Sequence, residues 1–173
     1  MSIPDPGGRP LLPRDPRLAP WRAFLTAYVQ VARRLDEELR VEHGLSLQEY
    51  GALLSLVEAP DHRIRMSRLA EALLLSKSGV TRLVDRLVED GLVTRSSCSS
   101  DARGAEATLT DAGIERLRSA SPTHLRGISA YFLDAIPDDD IAAVHRAMQR
   151  VADHAGGAGV TGDKGDLAAA LTR

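Results

Sequence analysis

Between Lys77 and Asp90 the hydrogen-bond donors are spaced so that they would share one face of a helix. The apolar residues recur at three and four positions and define the opposite, buried side: Val80, Leu83, Val84 and Leu87. The polar side, here called the donor face, carries Lys77, Ser78, Thr81, Arg82, Asp85 and Arg86. Ammonium, guanidinium and hydroxyl groups donate to phosphate oxygens and to base edges in the DNA major groove. The spacing therefore predicts a helix that binds DNA.

Asp85 is the acidic member of the donor face. Its carboxylate could orient Arg82 or Arg86, or accept a hydrogen bond from a cytosine amino group. An ion pair with Arg82 within the same helix is at least as compatible with the spacing. We therefore assign no base contact to Asp85.

Other chemistries find little support in the residue types. The five histidines, at positions 43, 62, 124, 145 and 154, lack metal-ligand spacing, and we find no phosphate-binding glycine loop. A single cysteine, Cys98, excludes an intrachain disulfide and a thiolate metal cage. The acidic run Asp138–Asp140 is typical of a helix start, where the macrodipole favours negative charge. We expect no enzyme, no cofactor and no metal site.

The length and composition are those of one globular domain. The chain has 173 residues and a mass of 18.6 kDa, and about 150 residues per domain is usual. No apolar run approaches the roughly 18 residues of a membrane span, and residues 1–20 lack a signal-peptide stretch, so we expect a cytoplasmic protein without membrane contact. The net charge of −2 restricts any DNA-binding surface to part of the molecule.

Proline and glycine mark the two ends of the chain. Six of the nine prolines lie within residues 1–20, and five of the glycines lie between Gly156 and Gly165. Such segments are costly to order and bury little. We expect a flexible Pro-rich arm at 1–19, the folded domain at 20–155 and a flexible Gly-rich tail at 156–173.

Helical spacing and capping residues predict two helices ahead of the donor face. The apolar stripe of residues 21–39 indicates a long helix that Gly44 can end. Ser46 and Glu49 have the spacing of a capping box and predict the start of a second, short helix.

The next elements are a strand, a turn and a hairpin. Arg63–Met66 alternates with a period of two, which favours a short edge strand, and Ser67 could cap a third helix. The turn Leu74–Ser76 joins that helix to the helix of the donor face. Two β-prone runs around a polar tip then predict a hairpin: Leu92–Arg95 and Glu106–Leu109. This order is typical of a winged helix-turn-helix, so we predict a mainly α fold with a small β-hairpin wing (α+β).

Two further helices follow the hairpin. Thr110 or Asp111 can start the first, and Pro122 in its middle predicts a kink or a break near Ser121. Pro137 and the acids after it predict the start of the last helix.

The charge distribution agrees modestly with DNA binding. Residues 63–103 contain eight Lys and Arg against five Asp and Glu, whereas the whole chain is negative. Many solvated surfaces have such a balance, so the order of the elements supports DNA binding more strongly than the charge does.

Five segments of this region resemble one protein family. They are Met66–Ala70 (MSRLA), Leu75–Leu87 (LSKSGVTRLVDRL), Gly91–Val93 (GLV), Asp101–Gly104 (DARG) and Leu109–Gly113 (LTDAG). Together they closely resemble the multiple-antibiotic-resistance regulator (MarR) family over about residues 20–155. The most specific part is the wing signature, Asp-x-Arg-Gly followed by a strand that ends Leu-Thr-x-x-Gly.

The resemblance implies a dimeric bacterial transcription factor, usually a repressor that is released by a small aromatic ligand or by oxidation. It implies dimerisation helices at about 20–43 and 111–155 and a winged helix-turn-helix at about 46–110. A two-fold dimer binds an inverted repeat in double-stranded DNA. The apolar stripes of the dimerisation helices fit this expectation, because a lone chain would leave part of them exposed.

The expected DNA contacts come from the donor face, its cap and the wing: Ser76, Lys77, Ser78, Thr81, Arg82, Arg86, Arg95, Asp101, Arg103 and Gly104. Arg103 resembles the wing-tip arginine that such proteins insert into the minor groove, and Asp101 would brace its guanidinium. A surface ion pair that only holds the loop is the alternative. Serines at positions 96, 97, 99 and 100 stand where such wings often carry charge, so this wing should make fewer ionic contacts.

The family's effector pocket lies between the dimerisation helices and the DNA-binding lobe. Residues that could line it here are Trp21, Tyr28, Tyr50, Leu54 and His124. Aromatic residues at helical spacing are also common in an ordinary core, so this assignment stays open.

Two other functions also stay open. Cys98 at the wing tip could make the protein a redox-responsive regulator, because oxidation would change charge and shape beside the DNA, although an inert exposed thiol is the simpler expectation. The second open function is that of a winged helix that contacts only other proteins. Such a module would not need Arg82, Arg86 and Arg103, so these residues favour DNA binding.

Overall fold

The computed structural model describes residues 12–97 and 105–156, which contain six α-helices and three β-strands. The helices are α1 (Ala19–His43), α2 (Leu47–Glu58), α3 (Met66–Ala72), α4 (Lys77–Glu89), α5 (Asp111–Ile128) and α6 (Asp138–Gly156). The strands are β1 (Arg63–Arg65), β2 (Val93–Ser97) and β3 (Ala105–Leu109), which form an antiparallel sheet in the order β1-β3-β2. The predicted order of elements and the mainly α fold with a β-hairpin wing are confirmed. No helix in the described part of the chain is long and apolar enough to cross a membrane.

Helices α1 and α2 meet at the residues that the sequence indicates. Gly44 ends α1 with a left-handed φ of 66°, and its N–H donates to the Arg40 carbonyl at 3.0 Å. Ser46 caps α2, because its Oγ accepts from the Glu49 N–H at 3.2 Å while Glu49 Oε2 accepts from the Ser46 N–H at 2.9 Å. The predicted capping box is therefore present.

The start of α3 differs from the prediction. The helix begins at Met66, and Arg65 occupies the N-cap position without a side-chain hydrogen bond. Arg65 is also the last residue of β1, where it lies opposite Glu106 of β3. The chain passes directly from strand to helix, so Ser67 already lies inside the first turn. The predicted Ser67 cap is wrong.

Helix α5 continues through Pro122, so of the predicted kink or break near Ser121 the break does not occur. Pro122 is exposed, whereas Leu117, Ala120, Ser121 and Thr123 around it are buried. A proline inside a helix costs about 3 kcal/mol. The packing of α5 against α1 and α2 offsets this cost by burying the side chains on both sides of the proline.

The core lies where α2, α3 and α4 meet the sheet and the inner parts of α1 and α5. Its largest fully buried side chains include Leu39, Leu45, Tyr50, Leu53, Leu56, Leu69, Leu83, Leu87 and Leu117. They come from all five of these helices and from the turn after α1. One continuous core therefore holds α4 in place against the sheet and the longer helices.

A second part of the molecule is largely unburied. No residue of α6 is buried, and the first half of α1 is exposed throughout. Three segments carry large apolar side chains that are at least 40% exposed: the first half of α1, the π-helical turn Ser129–Leu133 and α6. These side chains are Trp21, Phe24, Leu25, Tyr28, Val29, Phe132, Leu133, Met148 and Val151. We call this set the unburied apolar surface.

The base of the wing, the hairpin formed by β2 and β3, is fixed to the start of α5. Thr110 Oγ1 donates to the Gly91 carbonyl at 2.8 Å and accepts from the Gly113 N–H at 3.0 Å. A Cβ placed on Gly113 would lie closer to the Leu92 carbonyl oxygen than real Cβ atoms ever come. The glycine therefore permits a backbone approach that sets the position of the wing relative to α5.

Candidate nucleic-acid interface

A tight turn holds the start of α4 beside α3. Leu74 has a left-handed φ of 54°, and the Leu75 N–H donates to the Ala70 carbonyl at 2.8 Å. Ser76 then caps α4, because its Oγ accepts from the Gly79 N–H at 3.1 Å. A Cβ on Gly79 would lie only 3.2 Å from that Oγ, so the glycine leaves room for the cap.

The two sides of α4 are divided as predicted. The apolar stripe is at most 2% exposed and comprises Val80, Leu83, Val84 and Leu87. The exposed residues of the donor face are Lys77, Ser78, Arg82, Asp85 and Arg86. Thr81 is half-buried, and its hydroxyl donates to the Lys77 carbonyl at 2.8 Å. The donor face is thus presented to solvent on a helix whose other side is fully packed.

Arg82 and Lys77 are without a partner among the described residues. Neither side chain makes a hydrogen bond or an ion pair with any residue in the ranges 12–97 and 105–156. Their charges are therefore available to an external anion. Arginine suits bidentate acceptors such as guanine O6 and N7, and lysine suits phosphate.

Two other arginines of the predicted interface are held by carboxylates. Arg86 Nε donates to Glu49 Oε1 at 2.9 Å, and Arg95 Nη1 donates to Asp85 Oδ1 at 2.9 Å. The predicted alternative of a pair between Asp85 and Arg82 is wrong, because β2 brings Arg95 to the carboxylate. This pair ties the wing strand to α4.

Glu49 keeps its charge although its side chain is only 12% exposed. Burial by itself raises the pKa of this carboxyl. Hydrogen bonds from the Ser46 N–H and from Arg86 outweigh burial and hold the pKa of Glu49 below its ordinary value. The ion pair with Arg86 therefore persists at neutral pH.

Most of the predicted wing contacts fall outside the described residues. Arg95 is described and exposed on β2. Asp101, Arg103 and Gly104 are not, and neither is the redox candidate Cys98. Their roles stay predictions.

Two of the predicted pocket residues lie together between α2 and α5. The rings of Tyr50 and His124 have centroids 4.3 Å apart, and Tyr50 Oη lies 3.2 Å from Ser121 Oγ. His124 Nδ1 is buried and has no hydrogen-bond partner among the described residues. Burial lowers the pKa of His124 and raises that of Tyr50. The imidazole is therefore neutral at neutral pH.

The other predicted pocket residues lie elsewhere. Trp21 and Tyr28 are 55% and 64% exposed on α1, where each stacks on Phe24 at centroid distances of 5.9 and 6.5 Å. Leu54 is half-buried and packs against the core. The structure thus brings only Tyr50 and His124 of the predicted set into ring contact.

Sequence reasoning missed Glu49 as part of this surface. The sequence signal of Glu49 is the capping box, which assigns it to the start of α2. Arg86 is 37 residues away along the chain, and no local spacing connects the two. Within the described ranges no three or more His, Cys, Asp or Glu side chains are grouped so as to hold a metal ion.

The helix-turn-helix region matches a known family model. The model is described as MarR family, and it matches residues 43–104. That span contains α2, the turn between α3 and α4, and the strand β2 of the wing.

Two solved structures from Streptomyces coelicolor are similar to nearly the whole fold. AbsC, a MarR family transcriptional regulator, is 31% identical with a TM-score of 0.75, and the match covers 84% of this chain and 98% of AbsC. Sco3205, a MarR family transcriptional regulator crystallised in complex with DNA, is 31% identical with a TM-score of 0.76, and the match covers 86% of this chain and 96% of Sco3205.

A curated relative agrees with the structures. The HTH-type transcriptional repressor YetL of Bacillus subtilis (strain 168) is 37% identical over 87 residues. The match takes in 50% of this chain and 52% of YetL, so the chain spans about half the length of that relative. These relatives are transcriptional regulators rather than enzymes, and the chain belongs to the MarR family of transcriptional regulators.

Proposed function

We propose that the chain is a homodimeric repressor whose α4 enters the major groove of an inverted-repeat operator. The observation that carries this proposal is the donor face, where Arg82 and Lys77 lack partners among the described residues while the other side of the helix is buried. A helix with free donors on a packed support is suited to base edges and phosphates. The DNA complex of Sco3205 and the name of YetL as a repressor support the same function.

The residues of the interface have different roles in this proposal. Arg82 makes a bidentate base contact, and Lys77 binds phosphate near the start of α4. The DNA backbone on either side is contacted by the hydroxyl side chains and by the two ion-paired arginines. These residues are Ser76, Ser78, Thr81, Arg86 and Arg95. Arg103, braced by Asp101 beside Gly104, enters the minor groove.

In the proposed dimer, a second copy of the chain packs against the unburied apolar surface. Large apolar side chains exposed in such number usually mark an interface. A two-fold pair would place one α4 at each half-site, so the half-site centres would lie about 10–10.5 base pairs apart on one side of the duplex.

We expect the protein to sediment at micromolar concentration with about twice the chain mass of 18.6 kDa. Val151→Asp on α6 should give a folded monomer, because Val151 is 59% exposed in the single chain and its loss leaves the core intact. Val41→Asp is the matched control: Val41 is 85% exposed but lies outside the unburied apolar surface, so this variant should stay dimeric. A wild-type monomer in sedimentation equilibrium would contradict the dimer.

A finer proposal concerns release by a small aromatic ligand. It is supported by the pair of Tyr50 and His124, which lies between the DNA-binding lobe and α5 and holds a buried nitrogen without a partner among the described residues. A ring that entered here would separate α2 from α5 and change the distance between the two α4 helices. A protein–DNA complex that no compound in a panel of small aromatic acids, phenols and amines dissociates would contradict this.

A further inference from the structure

Glu49 contacts two elements at once. Its Oε2 accepts from the Ser46 N–H at 2.9 Å as part of the capping box, and its Oε1 accepts from Arg86 Nε of α4 at 2.9 Å. The carboxylate is 12% exposed, whereas Arg86 is 52% exposed. The acid is therefore fixed at the inner end of the ion pair and the guanidinium extends toward solvent.

The corner that holds Glu49 is itself anchored. The Leu47 N–H donates to Asp36 Oδ1 of α1 at 2.8 Å, and Asp36 Oδ2 accepts from Arg40 at 2.7 Å. The start of α2 is thus bound to α1 on one side and to α4 on the other. Glu49 has little freedom to follow a moving partner.

Arg86 keeps its terminal donors available. Only its Nε is used by Glu49, and neither terminal nitrogen has a hydrogen-bond partner among the described residues. Arg86 lies four residues after Arg82, so the two side chains are neighbours on the donor face. A guanidinium held through Nε is restricted in its motion and leaves its two terminal nitrogens as a fork, the geometry that phosphate accepts.

We propose that Glu49 is a positioning residue of the DNA interface: by holding Arg86 through Nε, it presents the two terminal nitrogens of that arginine to a backbone phosphate. This inference rests on the proposed DNA-binding function and adds to it a residue of α2, outside the two helices α3 and α4 that the turn joins. The competing explanation is an ion pair that only attaches α2 to α4.

The test compares Glu49→Gln with the wild type on the upstream duplex of the gene. Glutamine at this position can still accept from the Ser46 N–H, so α2 keeps its cap, but the charge that holds Arg86 is lost. We expect roughly tenfold weaker binding, which corresponds to 1.4 kcal/mol, and a thermal midpoint close to that of the wild type. Loss of an acid beside DNA would by itself strengthen binding, because carboxylates repel phosphates. Weaker binding together with an unchanged thermal midpoint therefore separates positioning from attachment.

Glu89→Gln is the matched control. It removes the same charge from the exposed end of α4, where Glu89 has no hydrogen-bond or ion-pair partner in the described part of the chain. We expect its binding to be unchanged or slightly tighter.

Two variants of Arg86 complete the design. Arg86→Lys keeps the charge and leaves the cap of α2 untouched, but lysine lacks the fork, so we expect a loss similar to that of Glu49→Gln. In an Arg86→Ala background, Glu49→Gln should no longer weaken binding, since the group that Glu49 positions is gone.

The outcomes are distinguishable. If the wild type binds the upstream duplex and Glu49→Gln or Arg86→Lys binds equally well or better, Glu49 does not position Arg86. If Glu49→Gln weakens binding equally with and without Arg86, its effect is on the fold and the proposal is likewise overturned. A wild type that does not distinguish the upstream duplex from a scrambled one overturns the proposed function itself.

Discussion

Replacing Gly113 by alanine is expected to lower the free energy of unfolding by about 3 kcal/mol, the upper part of the usual range for overpacking. The added Cβ would meet the Leu92 carbonyl oxygen and, at 2.6 Å, Cδ1 of Leu109. A backbone atom cannot move aside as a flexible side chain can. The start of α5 must therefore shift away from the wing, which also disturbs the hydrogen bond from the Gly113 N–H to Thr110.

Gly51→Ala is the matched control in chemical denaturation. Gly51 also lies inside a helix, but its Cβ would sit 3.4 Å from Cδ2 of Leu73, an ordinary contact. Alanine has the higher helix propensity by up to about 1 kcal/mol. We expect Gly51→Ala to be neutral or stabilising. Equal stability of the two variants would show that the approach of α5 to Leu92 is not as close as described.

Replacing Arg82 by alanine is expected to remove most of the preference for the operator. A bidentate contact between arginine and guanine contributes roughly 1–3 kcal/mol of discrimination. Arg82 has no partner in the ranges 12–97 and 105–156, so its removal leaves no group there unpaired. Affinity for the operator should fall, while affinity for a scrambled duplex should change much less. Fluorescence titration of both duplexes at two salt concentrations measures the difference.

Arg118→Ala controls for the loss of one positive charge. Arg118 lies on α5 and forms an ion pair with Glu115 at 2.6 Å. We expect it to alter both affinities slightly and equally. If Arg82→Ala lowers the affinity for both duplexes by the same factor, Arg82 binds phosphate instead of a base. If Arg82→Ala lowers neither affinity, the DNA lies on another face of the protein.

The local parts of the fold could be predicted from the sequence because their causes are local. Gly44 ends α1 through its own backbone conformation, and Ser46 and Glu49 form a capping box within four residues. The buried stripe of α4 follows from helical periodicity alone. Each of these features depends on neighbours within one or two turns.

The errors arose where tertiary packing decided the outcome. Pro122 breaks a helix in isolation, but α5 is buried on both sides of it and continues. Ser67 has the chemistry of a cap, but β1 runs directly into α3 and leaves Arg65 in that position.

The same reason limits the prediction of the interface. The composition of the donor face follows from the sequence, but the partners of Arg86 and of Asp85 come from other elements, 37 and 10 residues away. Four of the five predicted pocket residues shared an aromatic ring and not a location, and Trp21 and Tyr28 lie exposed on α1, apart from the pair of Tyr50 and His124.

Footprinting of the wild-type protein on the upstream region of its own gene tests the central claim most directly. The account predicts two protected half-sites of inverted sequence, with centres about 10–10.5 base pairs apart on one side of the duplex, and protection that weakens steeply as salt rises because phosphate contacts release counterions. Protection no stronger than on a scrambled duplex of the same length would contradict it and would favour a winged helix that binds proteins alone.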